Sequence, residues 1–250
     1  MKAYIISMIN DHESTVATRR LVKSIEDTGS ILDVTIMQAT TPDTIERDLA
    51  MVNKIFKDGT GDFSKLKYTY PKTEFDTRFD ILSGLQLTGY RSNDWRKVFA
   101  CLISHMRAWR TCIQWQKPIV ILEHDALFTR KFDYQEVKEQ FTGGVLGLNN
   151  PMRATRKANI FHQQLVGSVT TKGTTVVKCP MVDNANVPQG LAGNSAYIIK
   201  PYAAVQLFKR LQDFGGWPND ALMCNQLFPW LQVVYPYYTQ VQGTASSTTS

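Results

Sequence analysis

Apolar positions along this chain follow two periods. Short runs of branched and aromatic residues recur at 2–8, 32–38, 118–122, 145–148, 196–199 and 232–235, each bounded by polar or turn residues. Runs of that length and composition predict strands. Elsewhere the period lengthens to three or four. Val98, Leu102, Met106, Trp109 and Ile113 recur at that spacing, which places them on one face of a helix predicted over 95–116. Further helices are predicted over 14–28, with Ser14 as the cap and Gly29 behind it, over 201–214, with Pro201 in the first turn, and over 134–141 and 220–228. Residues 42–57 also read as helical. A strand, helix and strand at the start of a chain open a nucleotide-binding α/β unit. The predicted fold class is therefore α/β, a Rossmann-like sheet flanked by helices.

Two stretches lack a period. Residues 58–94, beginning with the loop 58–62, read as an irregular insertion, and 149–190, rich in Gly, Asn, Thr and Pro, as loops and short strands. The segment 243–250 is small and polar, and no repeat or low-complexity linker interrupts the 250 residues. One domain spanning 1–250 is the simplest organisation.

Composition narrows the class. A hydrophobic content of 43% and a charged content of 20% suit a soluble protein with a real core. The net charge of +6 fits a polyanion, a nucleotide or an acidic membrane surface and selects none of them. The four cysteines, at 101, 112, 179 and 224, form no Cys-x-x-Cys pair, which argues against a zinc cluster. Cys101 and Cys112 read as buried free thiols, and a reducing, cytoplasmic location is expected. No window approaches 18 apolar residues, so no membrane span is predicted.

The chemistry concentrates at Glu123-His124-Asp125, where the run from Pro118 to Leu122 ends. Ligands of open α/β sheets bind beyond the carboxyl ends of strands. Two hard oxygen donors there suit Mg²⁺ or Mn²⁺, and such an ion can carry a diphosphate. The plainer reading is a solvated turn.

Three blocks tip that balance: Ala100 to Trp109, containing Ser104 and His105; Ile121 to Ala126; and Gly193 to Pro201, containing Asn194, Ser195 and Tyr197. Trp217-Pro218-Asn219-Asp220, Val234-Tyr235-Pro236, Gln242 and Ser246-Ser247 follow at compatible spacing. Together they resemble glycosyltransferase family 25, which includes lipopolysaccharide-type sugar transferases and collagen galactosyltransferases. The likeness covers 95–248 and, in general shape, the first 40 residues. It implies a GT-A type α/β fold, a nucleotide-sugar donor, taken to be a UDP-sugar, and Mn²⁺ or Mg²⁺. One departure is His124, which stands where the family's acidic motif has a carboxylate.

The resemblance distributes roles. Asp125 is the expected direct metal ligand, and Glu123 a ligand through water or a contact to the donor. His124 has a structural role or ligates Mn²⁺. Asp220 is the candidate general base or, more plainly, a first-turn acid of its helix, and Asp183 is an alternative base. Ser104 and His105 support the donor site or the acidic motif; without the resemblance His105 is a packed core histidine. Arg19 and Arg20 meet phosphates or form a solvated helix face. Asn194 and Ser195 contact the donor sugar. Tyr4, Trp217 and Tyr235 pack in the core, with sugar stacking open for Trp217. The acceptor is either a saccharide or lipopolysaccharide, or a hydroxymethylated DNA base, which Arg153, Arg156, Lys157, Lys172 and Lys178 would draw in through backbone phosphates. A non-catalytic nucleic-acid-binding module and a metal-dependent phosphatase or nuclease are the competing classes. Neither is favoured, since no nucleic-acid-binding signature and no second acidic cluster is visible.

Overall fold

The computed structural model describes residues 1–53, 61–152 and 157–243. In chain order it contains β1 (Lys2–Ser7), α1 (His12–Asp27), β2 (Asp33–Gln38), α2 (Ile45–Met51), β3 (Thr77–Asp80), β4 (Leu85–Thr88), α3 (Trp95–Trp115), β5 (Ile119–Glu123) and β6 (Ala126–Phe128). It continues with β7 (Val145–Gly147), α4 (Ala158–Gly167), β8 (Thr175–Lys178), β9 (Ala196–Ile199), α5 (Pro201–Phe214), α6 (Asn219–Leu222), β10 (Leu231–Tyr235) and β11 (Thr239–Val241).

Seven strands form the central sheet in the order β2-β1-β5-β9-β7-β10-β8. β1 is parallel to both β2 and β5, and β7 to β10, while β9 and β8 run antiparallel to their neighbours. The sheet is thus mixed, with a parallel β1–α1–β2 unit of the predicted Rossmann-like kind at one side. Alternation sorts its two faces. Ile119 and Ile121 of β5 and Tyr197 and Ile199 of β9 pack with Leu102, Met106 and Trp109 of α3 and Leu207 of α5. Val120, Leu122, Ala196 and Ile198 pack on the opposite side with Leu21 and Ile25 of α1. The run Ile119–Leu122 is apolar at every position because both faces are covered. The next residue, Glu123, takes the α3 side.

Several elements differ from the sequence expectation. Asp11, not Ser14, caps α1, accepting from the Ser14 N–H at 2.7 Å. The stretch 58–94 is not wholly irregular: β3 and β4 form an antiparallel hairpin whose Leu85 and Leu87 are buried. Its turn is built by Asp80, which accepts from the N–H and hydroxyl of Ser83, and by Gly84 at φ 71°. That chemistry lacks the Asn-Gly signature a sequence scan seeks. The stretch 149–190 contains α4, whose Ala158, Phe161 and Leu165 give it a buried face. The helices predicted over 134–141 and 220–228 shorten to a 3₁₀ turn at Tyr134–Glu136 and the single turn α6. The second stops because Cys224 bridges to Gly190 and the Asn225 amide donates to the Cys179 carbonyl. Trp217 is fully buried between Tyr70 and Phe214, a core residue with no face for a sugar. Cys112 is buried as expected, whereas Cys101 is partly exposed. Among the described residues no helix is long and apolar enough to cross a membrane. Most of the loop 58–62, Arg153, Arg156 and Ser246-Ser247 lie outside the described residues.

A buried ion fixes the wall beside β2. Asp48 is fully buried and accepts from Arg47 Nε (2.8 Å), Thr40 Oγ1 (2.8 Å), Thr44 Oγ1 (3.1 Å) and Arg107 Nη1 of α3 (3.3 Å). Burial alone would push its pKa up, but these donors hold it below the usual aspartate value. Asp48→Ala leaves the Arg107 guanidinium without its ion-pair partner and the Thr40 hydroxyl without its acceptor, so a loss of about 3–5 kcal/mol is expected in urea unfolding at pH 7. Because the folded pKa is depressed, this stabilisation is present above the ordinary aspartate value. It is lost as pH falls through the lower folded one. A loss under about 1 kcal/mol, far below that range, would show the network to be idle.

Candidate active site

The parallel strands β1 and β5 end together at a cleft of ≈ 380 Å³. Its floor is the turn from β5 into β6, and main-chain bonds hold that turn on every side. The Glu123 N–H donates to Ser195 O (2.8 Å), the His124 N–H to Ile6 O (3.0 Å), and the Gln242 N–H to Asp125 O (2.8 Å). The Gln242 amide also donates to the carbonyls of His124 (3.2 Å), Ala126 (3.0 Å) and Ala17 (2.9 Å). With its backbone committed, the turn presents side chains to the cleft.

Ser104, His105, Glu123, Asp125, Asn194, Ser195 and Asp220 all line this cleft. They come from α3, β5, the β9 approach and α6, so a single cavity gathers residues spread over more than a hundred positions. Ser104 also latches the wall: its hydroxyl accepts from the Thr40 N–H at 2.8 Å and donates to Ala100 O at 3.0 Å. Three predicted residues lie elsewhere. Arg19 and Arg20 are exposed on α1 and do not line the cleft, and Asp183 is ion-paired with Lys157 away from it. That pairing also occupies one of the basic residues that were candidates for nucleic-acid contacts.

The three cleft carboxylates feel one another. Burial, then Glu123 and Asp220, raise Asp125 to about 7, against the pull of Ser195. Burial, then Glu123, raise Asp220 to about 6. Asp220 is exposed to solvent and lines the cleft, and the protein packed around it accounts for its desolvation. Glu123 goes the other way. Burial would raise it, yet the hydrogen bond from His105 holds it below the usual range. That bond runs from Nε2 to Oε1 at 3.0 Å. Burial pushes His124 down.

A second observation marks the same floor. Among the described residues ten buried side-chain N or O atoms have no hydrogen-bond partner, and five of them belong to Asp125, Asn194 and Asn219. An unsatisfied buried polar group costs about 1–3 kcal/mol, so their concentration points to a polar ligand. The orphaned Asp125 Oδ1, beside two further carboxylates, is the hard oxygen set that Mg²⁺ or Mn²⁺ takes. Cys101, His105 and Glu123 also bring one ligand atom each within 4.8 Å of one another. That trio is engaged with itself, since Glu123 Oε1 accepts from both His105 and the Cys101 thiol (4.0 Å). Burial and the three carboxylates push the thiol well above its normal value, so it keeps its proton. The residues fit a hard cation at the carboxylates better than a soft one at the thiol.

Sequence reading missed Asn219, Tyr90 and the clamp made by Gln242. Asn219 and Gln242 lie in blocks already singled out, but nothing in their type says that one is buried without a partner or that the other holds a turn. Tyr90 lines the cleft from just beyond β4, and no periodicity marks it.

The model for glycosyltransferase family 25 (LPS biosynthesis protein) matches residues 1–223. No curated protein matches the sequence. Among solved structures, the galactosyltransferase LgtC in complex with donor and acceptor sugar analogs is similar at 10% identity and a TM-score of 0.37, over 91% of this chain and 70% of its own. Mouse xyloside xylosyltransferase 1 is similar at 10% identity and a TM-score of 0.39, over 91% and 80%.

Proposed function

The chain belongs to glycosyltransferase family 25 and is a glycosyltransferase, and on that premise we propose that its cleft moves a hexosyl or pentosyl group from a UDP-sugar to a saccharide hydroxyl. The reading includes a divalent cation at Asp125 and Glu123. The observation that carries it is the convergence of Glu123, Asp125 and Asp220 with the orphaned amides of Asn194 and Asn219 in one cleft.

Each group then has work suited to its setting. Breaking the anomeric C–O bond leaves negative charge on the departing diphosphate, and a bound Mg²⁺ or Mn²⁺ supplies the countercharge. Asp125, whose own ionisation is penalised without a cation, and Glu123 would hold it. Asp220, raised to about 6, is ionised at neutral pH yet basic enough to take the acceptor hydroxyl's proton as the new bond forms. Asn194 and Asn219 each offer a donor and an acceptor, the pairing that a sugar's hydroxyls require. Ser195, next to Asn194 in sequence, is tied to the turn through its carbonyl, which accepts from the Glu123 N–H.

The direct test is to incubate the protein with UDP-hexoses, UDP-pentoses and Mn²⁺, with oligosaccharides and hydroxymethylated DNA as parallel acceptors, and to weigh the products. Transfer to a saccharide with release of UDP is expected. Transfer to DNA alone would reassign the acceptor, and no turnover of any sugar nucleotide would contradict the proposal. Asn219→Ala should weaken UDP-sugar binding about 10-fold while leaving UDP affinity unchanged. Equal loss for both ligands in calorimetry would remove Asn219 from the sugar site.

A further inference from the structure

Behind Glu123 a line of three buried rings leads back into the core. The Trp109 indole N–H donates to Tyr197 Oη at 2.8 Å, Tyr197 Oη lies 2.8 Å from His105 Nδ1, and His105 Nε2 lies 3.0 Å from Glu123 Oε1. Trp109, Tyr197 and His105 are all fully buried, and the Tyr197 and His105 rings stack 5.7 Å apart at 19°. We propose that Tyr197 is a positioning residue that locks His105 in its Nε2–H tautomer and so aims the Glu123 carboxylate at the cleft.

Donor and acceptor chemistry fixes the direction of the line. An indole N–H can only donate, so Tyr197 Oη accepts from Trp109. The phenol's own proton then needs an acceptor, and among the described residues His105 Nδ1 is the one within reach. That leaves Nδ1 bare and puts the ring proton on Nε2, directed at Glu123. The opposite tautomer would set a bare nitrogen against a carboxylate oxygen 3.0 Å away and strand the phenol proton. A doubly protonated ring would strand it too. Leaving such a group unpaired in the core is costly. Sheet register sets the spacing: Tyr197 of β9 pairs with Ile121 of β5, and Glu123 lies two residues further along the same face.

The arrangement deepens the proposed reading of Glu123. With Oε1 taken by His105 and Cys101, the carboxylate has Oε2 left for the cleft, and its orientation is inherited from the core. His105 is also removed from any set of metal ligands, because Nε2 carries a proton. Cys101, His105 and Glu123 then form a hydrogen-bonded node.

Ring-nitrogen NMR on protein labelled at its four histidines reads the tautomer without any turnover. The signals of His105 are assigned by their loss in His105→Gln. Wild-type protein is expected to show His105 protonated at Nε2 alone, and Tyr197→Phe is expected to convert it to a mixture. In the same variant kcat should fall about 10–100-fold, as for other outer partners of site carboxylates, with UDP affinity in the absence of a cation unchanged. A His105 protonated at Nδ1 or at both nitrogens in wild-type protein would overturn the proposal. So would an unaltered Nε2–H signature in Tyr197→Phe. A protein that shows the tautomer shift but turns over no sugar nucleotide would retain the positioning role and lose the proposed reaction, so the two failures are separable.

Discussion

Asp125→Asn is expected to raise the melting temperature of the cation-free protein while lowering glycosyl transfer on the order of 10³-fold. Both effects have one cause. Burial, with Glu123 and Asp220 nearby, raises Asp125 to about 7. Between the ordinary aspartate value and about 7 the folded protein holds a proton that the unfolded chain has released. Stability therefore declines as pH rises through that window, and stays lower above it. Asparagine keeps the shape and removes the charge. One pKa unit corresponds to about 1.4 kcal/mol. Discounted for the partial exposure of this turn, a gain of roughly 1–3 kcal/mol above pH 7 is expected, or about 2–4 °C for each kcal/mol. The gain should vanish below about pH 4, where both states are protonated. The same substitution would remove a ligand oxygen from the cation proposed to supply countercharge to the leaving diphosphate. Thermal melts from pH 4 to 8, paired with product assays, check both halves. An unchanged or lower melting temperature at pH 8 would show that the carboxylate is not stressed in the free protein.

Asp220→Asn should lower kcat about 10²–10⁴-fold, the range of a lost general base, with UDP-sugar affinity nearly unchanged. Asp220 is raised to about 6 by burial and by Glu123. Its base form is lost as pH falls, so the wild-type rate should show an acid limb centred no higher than about pH 6. A cation beside Glu123 moves that limb lower, because positive charge favours the carboxylate. The limb should be missing from the residual activity of the variant. Retention of most of the activity, or an equal loss in kcat and in donor affinity, would return Asp220 to the plainer role of a first-turn acid in α6.

The folding pattern explains what could be read in advance. The strands of the central sheet announce themselves because Ile119–Leu122 and Ala196–Ile199 are covered on both faces, which demands continuous apolar residues. Helix α3 is legible from Val98 to Ile113 because one stripe of it faces the sheet. The hairpin β3–β4 shows only Leu85 and Leu87 as an inward pair, too short an alternation to stand out, and its turn depends on Asp80. The run after α6 carries a helical pattern, but Cys224 is captured by a bridge to Gly190, a partner distant in sequence. At the site, the acidic turn was visible because two carboxylates interrupt an apolar strand. The roles of Asn219, Tyr197 and Gln242 were not, because they depend on which atoms lack partners, which rings meet and which carbonyls are reached. For Arg19 and Arg20 residue type left phosphate contacts and a solvated helix face both open, and the structure puts them on an exposed face of α1 that does not line the cleft.

The central claim is that the carboxylates after β5 hold the cation that carries the donor's diphosphate. Calorimetric titration of UDP into wild-type protein and Asp125→Asn, each with Mn²⁺ and with chelator, tests it most directly. Tighter UDP binding in Mn²⁺ for wild-type protein, and no such gain for the variant, is the predicted result. UDP bound equally well in chelator, or the same Mn²⁺ enhancement in Asp125→Asn, would contradict it.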